Sequence, residues 1–359
     1  MSIRCLASHA ANEQISIHDM KTKNGNPKKM RIITLEEHYA TPAFLESSGH
    51  HLRDQAGKAS NRSPEPTVTD RLCDLGDLRI EEMDAAGIDM QVLSLTSPGV
   101  QQMEAAEAVA IAREQNDYLA DRVKHYPDRF AGFAALPTPD PDQAAKELER
   151  TVRQYGFRGA AIMGHTSGRY LDDRFFWPIL ASAAALKVPI YIHPTPPPQK
   201  VIEASYTGNY APNVAVLLST RAWGWHIETG THSLRLVASG VFDRYRDLQI
   251  VIGHLGEAIP FMLSRIDQRL PRDQTHLERP TAAYFRENFS YTFSGFNYLP
   301  AFLDLLLQVG VERILFSTDY PYSSMQSARN FLEQLPVSPA DKEKIGHGNA
   351  ERLLQIQTK

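Results

Sequence analysis

The feature that most constrains this chain is a series of eight short apolar segments separated by stretches of helical periodicity. The segments are 31–37, 90–96, 130–136, 159–164, 188–193, 248–253, 288–294 and 313–318. Between them, 104–124 and 142–155 place apolar side chains three and four apart, and Trp225 to Gly240 and Phe261 to Leu270 also read as helices. Strands alternating with helices imply a parallel sheet, and eight such units imply a closed α/β barrel of the TIM-like (β/α)8 type. The strand segments are nearly all apolar, as expected for a sheet covered by helices on its outer face. With 359 residues the chain fits one such barrel with insertions. The barrel domain is expected over 30–359, after a polar, poorly ordered leader over 1–29 that lacks the apolar segment of a secretory signal. Two long polar insertions, 43–77 and 194–223, follow the first and fifth strands and are expected to overhang the C-terminal face.

Several strand ends carry metal-ligand chemistry. The first delivers Glu36 and His38, two residues apart and so on one face of a strand. Later runs end in His193, His254 and Asp319. Taken singly, each has an ordinary reading: a surface Glu-Glu-His, a satisfied histidine before Pro194, an aspartate capping the next helix. Those readings must all hold at once, and all at strand C-termini, where a barrel gathers its chemistry. A shared site is the better account. Glu, His and Asp together suit Zn²⁺, Mn²⁺ or a similar divalent ion.

Composition narrows the partners. A net charge of −4 argues against nucleic acid, which needs basic stripes. No apolar run is long enough to cross a bilayer. The two cysteines, Cys5 and Cys73, form neither a disulfide framework nor a thiolate metal site, which is compatible with a reducing, cytoplasmic setting. No Gly-rich nucleotide or cofactor fingerprint is present, so no organic cofactor is expected.

The motifs Leu35-Glu-Glu-His38, Ile252-Gly-His254-Leu-Gly-Glu257, Ser264-Arg265-Ile-Asp267 and Phe316-Ser-Thr-Asp319-Tyr-Pro321 resemble those of the amidohydrolase superfamily. With the block Glu228 to Asp243, the chain is similar to the amidohydrolase-related decarboxylases of γ-resorcylate, 2,3-dihydroxybenzoate and 5-carboxyvanillate. The likeness runs from about Met30 to Leu354. It implies that Glu36, His38, His193 and Asp319 hold one divalent metal, and that Asp319 is the acid protonating the substrate ring. His254, oriented by Glu257, would lie beside them. The fourth strand, Gly159-Ala-Ala-Ile-Met163, has no lysine to bridge a second metal.

That likeness implies non-oxidative decarboxylation of an aromatic acid bearing a hydroxyl ortho to its carboxylate. The alternative is a metal-dependent hydrolase of a lactone, amide or ester, or a hydratase. His51, beside His50, falls where the decarboxylases often place an aromatic clamp, and His165 is a candidate substrate contact. Arg265 corresponds to an arginine that some relatives project into a neighbouring subunit's site; an ion pair with Asp267 is the competing reading. A homodimer or homotetramer is expected, with the segment around 224–270 and the aromatics Trp223, Trp225 and Phe261 at an interface.

Overall fold

The computed structural model describes residues 30–47, 49 and 66–357. Arg31–Lys359 is one compact unit. Its strands are β1 (Ile33–Tyr39), β2 (Met90–Leu95), β3 (Phe130–Gly132), β4 (Ala134–Ala135), β5 (Ala160–Met163), β6 (Ile190–His193), β7 (Ile250–Ile252), β8 (Phe289–Thr292) and β9 (Ile314–Leu315). Every neighbouring pair is parallel, in two runs, β1-β2-β3 and β4 to β9. A single residue, Phe133, separates the runs. Its N–H still donates to Leu93 of β2 at 2.9 Å, whereas Ala134 N–H turns to Gly159 before β5. The segment expected as one strand over 130–136 is thus one barrel strand that changes partner midway.

The other seam lies between β9 and β1. Leu35 N–H donates to Phe316 O at 3.1 Å and His38 N–H to Tyr320 O at 2.8 Å. Beside these backbone bonds, the Glu37 carboxylate accepts from Thr318 N–H at 2.8 Å and Tyr320 N–H at 3.2 Å. Eight strand positions therefore close into one parallel barrel. The last strand, expected over 313–318, spans only Ile314–Leu315 in its pairing with β8, and the chain after it is tied to β1 by these backbone bonds and by Glu37.

Inside, Ile33, Leu35, Val92, Phe133, Met163, Val251 and Leu315 form the barrel core, closed from below by Ala350 and Leu354 of the last helix. The outer helices follow their periodicity. In Ala105–His125 the buried positions Ala108, Ala112, Asn116 and Leu119 recur every three or four residues. The helix Pro141–Tyr155 starts where Asp140 accepts from Gln143 N–H, with Pro141 at its first position. The second insertion folds into the short helices Gln199–Ser205 and Pro212–Ser219.

One local feature alters the strand argument. Ile33 and Leu35 face the core, so strict alternation would turn Glu36 and His38 outward. A β-bulge between Leu35 and Glu37, with Glu36 at φ 68°, inserts one residue and reverses the parity above it. Glu36 and His38 do share a face, but because of the bulge.

Candidate active site

Above the apolar core, Glu36, His38, His193 and Asp319 converge from β1, β6 and the chain after β9. One ligand-type atom from each lies within 4.8 Å of the others. His38 Nε2 is 3.2 Å from Asp319 Oδ1, and His193 Nε2 is 3.4 Å from Glu36 Oε1. The two oxygens of Glu36 have different fates. Oε2 accepts from the hydroxyls of Tyr191 and Ser294, and from Thr292 at 3.2 Å. Oε1 has no hydrogen-bond partner among the described residues, and neither ring nitrogen of His38 has one. Such orphaned, fully buried polar atoms are costly unless something binds them. A divalent cation fits this set by charge and by donor type: two carboxylates and two imidazoles.

Burial sets the electrostatics. It lifts Glu36 to about 8 and Asp319 to about 7, in both cases against the pull of His254. It drops His38 to about 3, helped by Arg79 and His254, and holds His193 well below its usual range. Neutral imidazoles are the form that can donate a lone pair to a cation, and carboxylates buried this deeply call for a compensating positive charge.

Across the rim, His254 Nδ1 lies 2.6 Å from Glu257 Oε1, while its Nε2 lies 4.0 Å from Glu36 Oε1. Burial alone would lower His254, but Glu257 and Glu36 outweigh it and hold the ring at about 10. Burial acts to raise Glu257, yet His254 and His226 bring it to about 2. Each partner thus favours the charged form of the other. Backbone strain concentrates here: His254 (φ 48°), Glu257 (φ 53°) and Asp319 (φ 61°) join Glu36 in the left-handed region, each costing about 1–3 kcal/mol.

Neither His165 nor Arg265 shares a hydrogen bond with this cluster among the described residues. His165 has both ring nitrogens engaged in its own loop region: Nδ1 accepts from Gly168 N–H at 3.0 Å, so Nε2 carries the hydrogen and donates to Pro196 O at 3.2 Å. It braces the loops after β5 and β6. Arg265 is exposed on the helix Ile259–Arg269. Asp267 accepts from Ala282 N–H, and no ion pair joins it to Arg265. His51 and His50 lie outside the described residues.

Sequence reasoning missed Tyr191, Ser294 and His226. Tyr191 stands two residues before His193, so strand periodicity carries a signal for it. Ser294 and His226 have no local signal. His226 reaches Glu257 from 31 residues away, and Ser294 reaches Glu36 from 258.

A parallel (β/α)8 barrel with a Glu-His-His-Asp cluster at its strand C-termini defines the class of metal-dependent barrel enzymes. This chain belongs to the amidohydrolase family, whose model matches residues 38–356. It is 39% identical over 335 residues to a γ-resorcylate decarboxylase of Polaromonas sp., covering 90% of this chain and 98% of that one. Among solved structures, a dihydroxybenzoic acid decarboxylase from Polaromonas sp., with bound manganese and the inhibitor 2-nitroresorcinol, superposes with a TM-score of 0.82 at 36% identity. It covers 92% of this chain and 98% of its own. A 5-carboxyvanillate decarboxylase from Novosphingobium aromaticivorans, complexed with manganese and 4-hydroxy-3-methoxy-5-nitrobenzoic acid, gives 0.82 at 35% identity, covering 92% and 98%.

Proposed function

We propose that this chain catalyses the metal-dependent, non-oxidative decarboxylation of an aromatic acid with a hydroxyl ortho to its carboxylate. The observation that carries the reading is the pairing, on one rim, of the Glu36–His38–His193–Asp319 cluster with the His254–Glu257 couple. Similarity to decarboxylases over nine-tenths of the chain supports it, and makes γ-resorcylate (2,6-dihydroxybenzoate) the first substrate to test. Glu36, His38, His193 and Asp319 would hold one Mn²⁺ or Zn²⁺. When bound, the ion supplies positive charge that favours a substrate able to chelate through carboxylate and ortho hydroxyl.

The remaining steps belong to the chain. Asp319 delivers a proton to the ring carbon that bears the carboxylate. The bond from that carbon to the carboxylate then breaks, its electron pair restores the aromatic ring, and CO₂ leaves. One proton per turnover ends on the ring carbon, and solvent supplies its replacement on Asp319. General acid catalysis of this kind contributes about 10²–10⁴-fold. His254, held by Glu257, turns its Nε2 edge to the substrate. The assembly is read as a homodimer or homotetramer, and the compartment as the cytoplasm on the strength of the two-cysteine composition.

The test is a panel of ortho-, meta- and para-hydroxybenzoates beside simple lactones, with substrate loss and CO₂ release measured together. Ortho-hydroxy acids, 2,6-dihydroxybenzoate first, are expected to turn over. Activity should track close to one equivalent of divalent metal per chain, disappear on chelation and be absent in Asp319→Asn. Lactone turnover with every hydroxybenzoate inert would place the chain among the hydrolases instead.

A further inference from the structure

Glu257 has two oxygens, and an imidazole claims each. Oε1 lies 2.6 Å from His254 Nδ1 and Oε2 lies 2.7 Å from His226 Nδ1, with the carboxylate fully buried. The two rings sit 4.6 Å apart, and Phe296 packs on both, at 5.1 Å from His226 and 5.2 Å from His254. The outer nitrogen of His226 is also occupied: Nε2 lies 3.1 Å from the Trp225 indole nitrogen and 3.1 Å from the Arg221 carbonyl. Facing a carboxylate, Nδ1 of His226 is the nitrogen that carries the hydrogen.

The helix Gly224–Ala238 is built to deliver this ring. Gly230 stands one turn after His226, on the same face. A Cβ at Gly230 would come within 2.7 Å of the Glu257 carbonyl oxygen, so the helix rests directly on the turn that carries His254 and Glu257. The three side chains also have the composition of a cation site. Their Nδ1 and carboxylate oxygen atoms, however, satisfy one another, and none is among the buried unpaired atoms that mark the Glu36 cluster.

We propose that His226 is a positioning residue: it holds Oε2 of Glu257 so that Oε1 stays on His254 Nδ1 and the His254 ring keeps Nε2 toward the Glu36–Asp319 cluster. Without it, one oxygen of a buried carboxylate loses its donor, and Glu257 is free to turn away from His254. The inference rests on the decarboxylase reading only for its kinetic arm.

The test compares His226→Ala with His226→Asn, whose amide can donate from nearly the position of Nδ1. In zinc-loaded protein labelled with ¹⁵N-histidine, solvent exchange of the His254 Nδ1 proton is expected to speed up about 10-fold or more in His226→Ala and to return toward wild type in His226→Asn. In turnover of the best hydroxybenzoate, kcat should fall about 10-fold in the alanine variant with KM and metal content little changed, the scale seen when partners of site residues are lost. The asparagine variant should recover most of it. If alanine does not fold, His226→Phe fills the volume without a donor and must show the same two losses. Wild-type exchange and kcat in the donor-less variant would overturn the proposal, as would a folded asparagine variant no better than alanine. A wild-type chain that decarboxylates nothing, yet shows the exchange difference, would refute the proposed function and leave this inference standing.

Discussion

At the scale of single residues, the site is organised by how Glu36 is held. Its Oε2 is fixed by hydroxyls from Tyr191, Ser294 and Thr292, and this leaves Oε1 turned to the imidazoles. The carboxylate can occupy that position only because Gly253, at the end of β7, has no side chain. A Cβ there would lie 2.7 Å from Glu36 Oε2, 2.7 Å from Ser294 Oγ and 3.0 Å from Tyr191 OH. Gly253→Ala is therefore expected to push Glu36 off its hydroxyls. Metal affinity should fall by about 10–100-fold, as for other lost partners of ligand residues. The fold should survive, since the clash is with side-chain ends rather than backbone. Isothermal titration with Mn²⁺ together with a thermal melt reads both quantities. Unchanged affinity would mean that Glu36 is not held as described.

At the scale of elements, β1 does two tasks with adjacent acids. The bulge turns Glu36 into the site, and the next residue, Glu37, stitches the barrel seam through Thr318 N–H, Thr318 Oγ1 at 2.7 Å and Tyr320 N–H. Burial lifts Glu37 to about 8, opposed by its hydrogen bonds from Thr318. Glu37→Gln puts an amide N–H₂ where one of the two accepting oxygens stands and leaves seam donors without acceptors. A stability loss of about 1–3 kcal/mol is expected, the cost of stranding buried donors. Denaturant unfolding measures it; an unchanged midpoint would show that the seam does not depend on this side chain. These two acids also show how far the sequence could be read. Strand positions and the acidic and histidine side chains at their ends were legible because each is a short apolar run with a polar terminus. The bulge was not, because its cause lies in the pairing of β1 with β2, which no single strand encodes. Nor was the His226–Glu257 contact, which depends on a helix docking on a distant turn through Gly230. The loop after β5 illustrates a third limit: His165 is a polar residue in the expected place, yet its hydrogen bonds turn it into a brace.

At the scale of the whole molecule, the barrel domain leaves apolar surface that a solitary chain has little use for. The helices Ile259–Arg269 and Leu299–Val309 pack side by side. They leave Phe261 80% and Leu307 86% exposed, with Met262 and Leu299 also uncovered. Trp223, ahead of the helix Gly224–Ala238, is exposed as well, whereas Trp225 is half-buried against His226. Large exposed apolar side chains gathered on adjacent helices mark association surfaces. Arg265 stands on the same helix as Phe261, exposed and with no ion pair among the described residues. The expected outcome is a homodimer or homotetramer at micromolar concentration, and Phe261→Glu should shift it toward monomer by placing a charge where apolar surface is covered. Light scattering on both proteins decides the matter. A wild-type monomer would reject the assembly, and a Phe261→Glu protein of unchanged mass would move the interface to another face of the barrel.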